Sequence, residues 1–278
     1  MQAQLSRFVP NLLARWNKLA NQAPVSPRLP LRLHGVMVGS VAQSLVHFLT
    51  QTGVNLDWHE SIDREGRCWH LPNDPAPTFT AISKALQQHG YIVWPSLEYL
   101  SILDADGQDL GPVPRDLARF LGLNTHSVHM VGWQAEVAWV QERANNKAED
   151  PSLLDTLVGG TVAWAENPLT TLECESWEEA GLSMHQLDAL TSYGTIELKK
   201  PSLDSQGWGY QIETVHCFSA QVVQGAHPVN NDGEVAAFHP FSSEELRHAL
   251  EADRFTLAAT GVYLRITQAM PASAVKKP

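Results

Sequence analysis

The chain reads as an α/β protein: a mixed α/β sandwich with a mixed sheet in its second half, preceded by a smaller α+β domain. Three observations point there. Helical patterns dominate the first 120 residues, the texture turns strand-rich from Ser127 onward, and a glutamate-rich helix sits between strands of the second part. The change of texture sets a boundary near residue 123, which gives an accessory domain over 1–122 and a second domain over 123–278.

Apolar spacing predicts helices over Phe8–Leu19, Val41–Thr50 and Phe79–His89, with Pro24, Pro27 and Pro30 forcing a loop after the first. A strand over Glu98–Leu103 runs into the turn pair Asp106-Gly107, and Pro114–Leu121 reads as a short helix stopped by Gly122. Beyond the boundary, Val131, Trp133, Ala135, Val137 and Trp139 fall on one side at period two. Further strands are expected over Thr156–Val158, Ser192–Lys199 and Ile212–Val223, and a late helix over Ser243–Ala252.

Composition narrows the function. The 278 residues carry 19 Lys and Arg against 30 Asp and Glu, a formal charge of −11, so the basic footprint of a nucleic-acid-binding surface is missing. A phosphorylated substrate would also be repelled, and a divalent cation is expected to mediate its binding. Cys68, Cys174 and Cys217 are too few and scattered for a disulfide framework, which favours a reducing compartment. Arg7, Arg15 and Lys18 interrupt any apolar leader, and no stretch approaches the ~18 apolar residues of a membrane span. The expected location is therefore the cytoplasm, with no membrane or nucleic-acid partner and no P-loop for phosphate.

The informative run begins at Gly159-Gly160, passes Glu166 and Asn167-Pro168, and ends at Glu175-Ser176-Trp177-Glu178-Glu179-Ala180-Gly181. Asn167 is a good N-cap, Pro168 suits the first helical position, and Gly181 suits the position just past the end. At roughly 100° per residue, Glu175, Glu178 and Glu179 share an arc of about 100°, while Leu169, Leu172 and Ala180 take the neighbouring arc. Like charges at this spacing cost a helix roughly 0.2–0.5 kcal/mol per pair, more when desolvated, so the cluster needs a counter-charge. Mg²⁺ or Mn²⁺, hard ions that prefer oxygen ligands, would supply it. A solvated acidic face is the bland reading of such a run; the glycine pair and the two caps weigh against it.

These residues resemble the Nudix box: Gly160, Glu166, Glu175, Glu178, Glu179, Gly181 and Leu182 fall in one register with it, and Gly159 completes the glycine pair. The resemblance implies an α/β/α sandwich and a Mg²⁺- or Mn²⁺-dependent hydrolase that cleaves a diphosphate linkage in a small molecule. It implies Glu175 and Glu179 as main metal ligands, Glu178 as a ligand or water activator, and the Gly160 carbonyl as a further ligand. Two positions depart, Cys174 where the family has an arginine and Ser176 where it has an apolar residue. Ser127-Val128-His129-Met130, Leu154 to Gly160, Asp232-Gly233-Glu234-Val235 and Phe238 extend the likeness to the Nudix group related to the N-terminal part of fungal thiamine pyrophosphokinases. That group implies thiamine diphosphate or a damaged analogue as substrate, and an extra N-terminal domain of about the length seen here; covering one side of the cleft and supporting a homodimer are the two roles open to residues 1–122. The alternatives are a nucleoside-diphosphate-sugar hydrolase and a non-catalytic Nudix ligand-binding module.

Beyond the box, Glu234 is either an additional ligand or general base, or a solvated turn residue. Glu213 is either a metal or substrate contact, or a sheet-face residue paired with a lysine. Trp208 and Tyr210, flanking Gly209, either stack on a heteroaromatic ring of the substrate or pack within the protein. Cys174, surrounded by carboxylates that raise its pKa, is expected to be a packed, inert thiol. Asp104 to Asp109 lacks the glycine and glutamate positions of a calcium loop. His126 and His129, three apart in a strand, face opposite ways and make no zinc pair.

Overall fold

The computed structural model describes residues 9–63, 66–93, 95–147, 149–202 and 207–269. Its first part runs α1 (Val9–Ala20), β1 (Arg28–Leu33), β2 (Val36–Ala42), α2 (Gln43–Gln51), β3 (His59–Asp63), β4 (Gly66–His70), α3 (Ala76–Gln88), β5 (Tyr99–Leu103), β6 (Asp109–Pro114) and α4 (Arg115–Ala118). The second part runs β7 (Asn124–Gln134), β8 (Val137–Arg143), β9 (Leu154–Asp155), β10 (Val158–Thr161), α5 (Pro168–Glu178), β11 (Leu187–Ser202), β12 (Gly209–Val222), β13 (Val235–Phe241), α6 (Ser243–Glu251) and α7 (Leu257–Ala269). Phe8, expected to open the first helix, lies outside the described residues.

The second part is a mixed sheet in the order β11-β12-β7-β8-β13, with β10 pairing β7 and β9 pairing β8. The β7–β12 pair is parallel and the other ladders are antiparallel. Strand β7 is central and buried on both faces from Ser127 onward, which explains its near-continuous apolar run. The period-two reading through Trp139 is corrected here: the chain reverses between Gln134 and Val137, with Ala135 at φ 50°, so Trp139 lies opposite Gly132 on the next strand. Strand β13, at the sheet edge, tolerates Pro240 because one flank needs no ladder partner.

The accessory part holds its own four-stranded sheet, β2-β1-β4-β3, which the helix-dominated reading did not foresee. Pro30 obscured β1; it faces only Ser40 of β2, because β4 pairs with β1 just at Leu31 and Arg32. Val41, read as helical, lies within β2, and the expected helix over Pro114–Leu121 shortens to α4. Leu31, Leu45, Phe79, Ile82 and Leu121 belong to a core that ends at Leu123.

Helix α1 does not join that core. Leu12, Trp16 and Ala20 pack instead with Val131, Val215, Val262 and Tyr263, so this helix belongs physically with the second part. The indole of Trp16 donates to the Leu257 carbonyl at 2.8 Å, and a Cβ on Gly261 would overlap its ring. Helix α7 escaped the sequence reading because Thr260, Val262 and Ile266 are β-branched and Gly261 interrupts them; tertiary packing overrides the weak propensity. Arg28 staples the two parts together by donating to the carbonyls of Phe120 and Trp208, and its burial lowers its pKa to about 10.

Trp16→Ala is expected to destabilise the second core by about 3–5 kcal/mol, the range for a buried large aromatic. Urea unfolding checks this; an unchanged midpoint would make α1 dispensable to that core.

Candidate active site

Helix α5 is built by local signals. The Asn167 carboxamide accepts from the Leu169 and Thr170 amides at 3.0 and 3.1 Å, and Pro168 occupies the first turn. At the far end Gly181 has φ 61°, and a Cβ there would meet the Val229 carbonyl at 2.8 Å, so glycine is required by both conformation and space. The buried stripe is Thr171, Leu172, Ser176, Glu179 and Ala180; Leu169, expected on that side, is exposed. Ser176 suits its buried position because its hydroxyl returns to the Leu172 carbonyl at 2.6 Å.

Glu179 thus lies on the inward face of the helix, only 2% exposed. Its carboxylate accepts the Gly159 amide at 2.8 Å and the Gln141 carboxamide at 3.4 Å. Burial holds its pKa well above the ordinary carboxylate range, the Gly159 amide working in the opposite direction. Glu175 is pushed up to about 7, first by burial and then by Glu178, Glu234 and Asp232, with Lys147 as the opposing charge. The glycine pair is what lets the helix approach β10: a Cβ on Gly160 would overlap the Glu175 carboxylate.

A second segment is tied to the end of α5. Val229 and Asn231 amides donate to the Ala180 and Glu178 carbonyls at 2.8 and 3.2 Å, and the Asn231 carboxamide to the Trp177 carbonyl at 2.8 Å. The turn that follows is wound on Asn230 and Asp232, whose side chains accept the Gly233 and Glu234 amides at 2.9 and 2.8 Å. This brings Glu234 to the helix glutamates, where it pairs with Lys147.

Glu175, Glu178, Glu234, Gly160 and Glu213 all line one cleft of about 970 Å³. Glu179 stands behind Gly159 and does not line it. Glu213 accepts from Gln211 at 2.6 Å, with no lysine partner in the described bonds. Trp208 and Tyr210 are not brought to the cleft. Trp208 packs against Phe48 and Tyr91 of the accessory core, and the Tyr210 hydroxyl donates to the Gln22 carbonyl at 2.8 Å. Cys174 is exposed rather than packed, and its thiol pKa is raised by desolvation and by Glu166, Glu178, Glu173 and Glu175.

Sequence reasoning missed the cations. Arg115 with Arg119, Arg143 with Lys147, and Lys200 reach the cleft from three stretches far apart in the chain, so no local pattern in the glutamate helix announces them. It also missed the buried pair of His129 and Asp155. Burial opposes charge on both, yet their 3.3 Å contact outweighs it, raising the histidine pKa and, with Arg143, lowering that of the aspartate. His126 turns the other way and meets His216 at 3.0 Å, as their strand spacing requires.

Residues 125–259 match the family model for the NUDIX domain. That stretch, just under half of the 278 residues, is a Nudix domain by this match. It is 27% identical over 128 residues to Nudix hydrolase 20, chloroplastic, of Arabidopsis thaliana, covering 45% of this chain and 33% of that one. Nudix hydrolase 24, chloroplastic, of the same plant is 26% identical over 130 residues, 45% of this chain and 34% of that one. The uncharacterized Saccharomyces cerevisiae protein YJR142W is 27% identical over 159 residues, 51% and 46% of the two chains. The match therefore spans a third to a half of the length of these relatives. Among solved structures, DR0079 of Deinococcus radiodurans has a TM-score of 0.46 at 19% identity, covering 62% of this chain and 98% of its own. A C. elegans Ap4A hydrolase has a TM-score of 0.39 at 12% identity, covering 52% and 96%.

The Nudix carboxylates suit a divalent ion in kind. Three glutamates and the Gly160 carbonyl are hard oxygen donors, two of the glutamates carry charge that burial opposes, and the buried Gln141 Oε1 beside Glu179 has no partner. Among the described residues no three such side chains stand close enough to enclose an ion as placed, so closing the set takes side-chain rotation.

Because Glu175 rises from the ordinary 4.5 to about 7 in the fold, the folded state binds the extra proton between those values. Its contribution is full below the lower value and is lost as pH rises through the upper one. Metal-free Glu175→Gln is expected to be more stable than the parent by about 1–3 kcal/mol at pH 8, the gap closing below pH 5. Denaturant titrations across that range check it; a gap independent of pH would mean that Glu175 is not held protonated.

Proposed function

We propose that the chain is a divalent-metal-dependent hydrolase of a small organic diphosphate. The observation that carries this reading is the set Glu175, Glu178 and Glu179, packed against Gly159-Gly160 and joined by Glu234, with one lysine against their charge. Glu175, Glu179 and the Gly160 carbonyl would hold Mg²⁺ or Mn²⁺, with Glu178 beside them. Such an ion supplies Lewis-acid charge to a diphosphate that the carboxylates alone repel. Glu178, exposed on the cleft wall, or Glu234 accepts the proton of the attacking water. The water oxygen bonds to phosphorus as the bridging P–O bond breaks, and the leaving phosphate takes the electron pair.

For a diphosphate monoester the products are an organic monophosphate and inorganic phosphate. The resemblance to the thiamine pyrophosphokinase-related group supports thiamine diphosphate or a damaged analogue as the first substrate to try. The nucleoside-diphosphate sugars are the second. No described helix is long and apolar enough to cross a membrane, and the sparse thiols support a reducing compartment such as the cytoplasm. The plant relatives bear chloroplastic names.

A screen over thiamine diphosphate and ADP, read as released inorganic phosphate, and over ADP-ribose, read as released AMP, should show turnover that EDTA abolishes and Mn²⁺ or Mg²⁺ restores. Glu179→Gln is expected to lower kcat at least about 100-fold while circular dichroism stays unchanged. A parent that binds these compounds but turns over none of them is a ligand-binding module, and the proposal falls.

A further inference from the structure

On the diphosphatase reading, we infer that the accessory domain supplies a phosphate-recognising residue to the cleft, Arg115, and that the preferred substrate carries a free terminal phosphate. Arg115 opens α4, the last helical turn before the chain enters β7. Its guanidinium donates to the Thr161 hydroxyl at 3.2 Å, and Thr161 directly follows Gly160. A fixed positive charge from one domain therefore stands beside the glycine strand of the other.

The side chain is aimed from its own side as well. It pairs with Glu98, whose backbone carbonyl accepts the Arg115 amide at 3.0 Å. Of the cleft's other cations, Lys200 lies on β11 and the rest are paired away from the glycine strand. Arg143 bonds the Glu149 carbonyl and Asp155, Lys147 pairs with Glu234, and Arg119 pairs with Glu149. Arg115 keeps 46% of its side chain exposed and has five N–H donors, so its fork can take phosphate oxygens while holding both present partners. A terminal phosphate offers three oxygens and a second negative charge, which a bidentate arginine rewards; a doubly esterified diphosphate offers neither.

The test compares Arg115→Ala and Arg115→Lys on thiamine diphosphate and ADP, which end in a free phosphate, and on ADP-ribose, which does not. Arg115→Ala is expected to raise KM about tenfold for the first two with kcat nearly constant, and to leave ADP-ribose within about twofold. Arg115→Lys should recover only part of the loss, since an ammonium lacks the fork. Thr161→Val, which removes only the aiming hydrogen bond, should move KM the same way by less. An unchanged KM for thiamine diphosphate and ADP, or an equal rise for all three, overturns the inference. If the parent turns over nothing, the diphosphatase reading fails by itself. Calorimetric binding of α,β-methylene-ADP in Ca²⁺ then decides on Arg115, a tenfold weaker affinity in Arg115→Ala supporting it and equal affinity overturning it.

Discussion

The hydrogen bond from the Gly159 amide to Glu179 is the constraint on which the site depends. A carboxylate almost wholly removed from water is expensive unless it is bonded and neutralised, and here one backbone amide and one carboxamide are its described partners. The charge that remains has two outlets, a proton or a cation. Burial raises the pKa of both Glu179 and Glu175, so the metal-free fold selects the proton. A cation that binds there must then displace protons, which ties its affinity to pH and sets ion binding against the stability of the metal-free fold. The glycine pair follows from this: with a side chain at Gly160, Glu175 would have no room beside β10.

The cleft forms where two cores meet, a common place for ligand sites. The junction is tied in several ways. Arg28 spans it with bonds to carbonyls on both sides, Trp208 crosses from the second part into the accessory core, and the Trp164 amide donates to the Tyr99 carbonyl at 2.8 Å. Helix α1 completes the interlock by lying in the core of the part that follows the accessory domain in sequence. Separating the chain at residue 122 would strand that helix, even though the apolar cores themselves divide near there.

How much was legible in the sequence depends on how local each feature's cause is. Helix α5 could be read almost completely, because its cap, its first-turn proline and its terminal glycine act within a few residues of themselves. The turn at Asn230 to Gly233 was equally plain. The accessory sheet and α7 were not, because Pro30 and Gly261 break their patterns and only partners far along the chain make those patterns stable. The side of α5 that faces inward was only half legible: Glu179 and Leu172 point in, but Leu169 does not. Trp208 shows the same limit, since an aromatic beside a strand reads alike whether it meets a ligand or the ring of Phe48.

Charge compensation is the least local feature of all. The helix carries Cys174, an exposed thiol surrounded by carboxylates, at the position where a cation would most directly have served Glu175. The opposing charge comes instead from Lys147, beyond the end of β8, which lowers the cost at both Glu175 and Glu179 and pairs with Glu234. Lys147 reaches the cluster because the Ala144 amide donates to the Glu234 carbonyl at 2.9 Å, fixing its loop against the turn that carries Glu234. One lysine against Glu178, Asp232 and Glu234 leaves the cluster anionic even when Glu175 holds its proton. That excess favours a divalent cation at the cleft and repels any anion that comes without one.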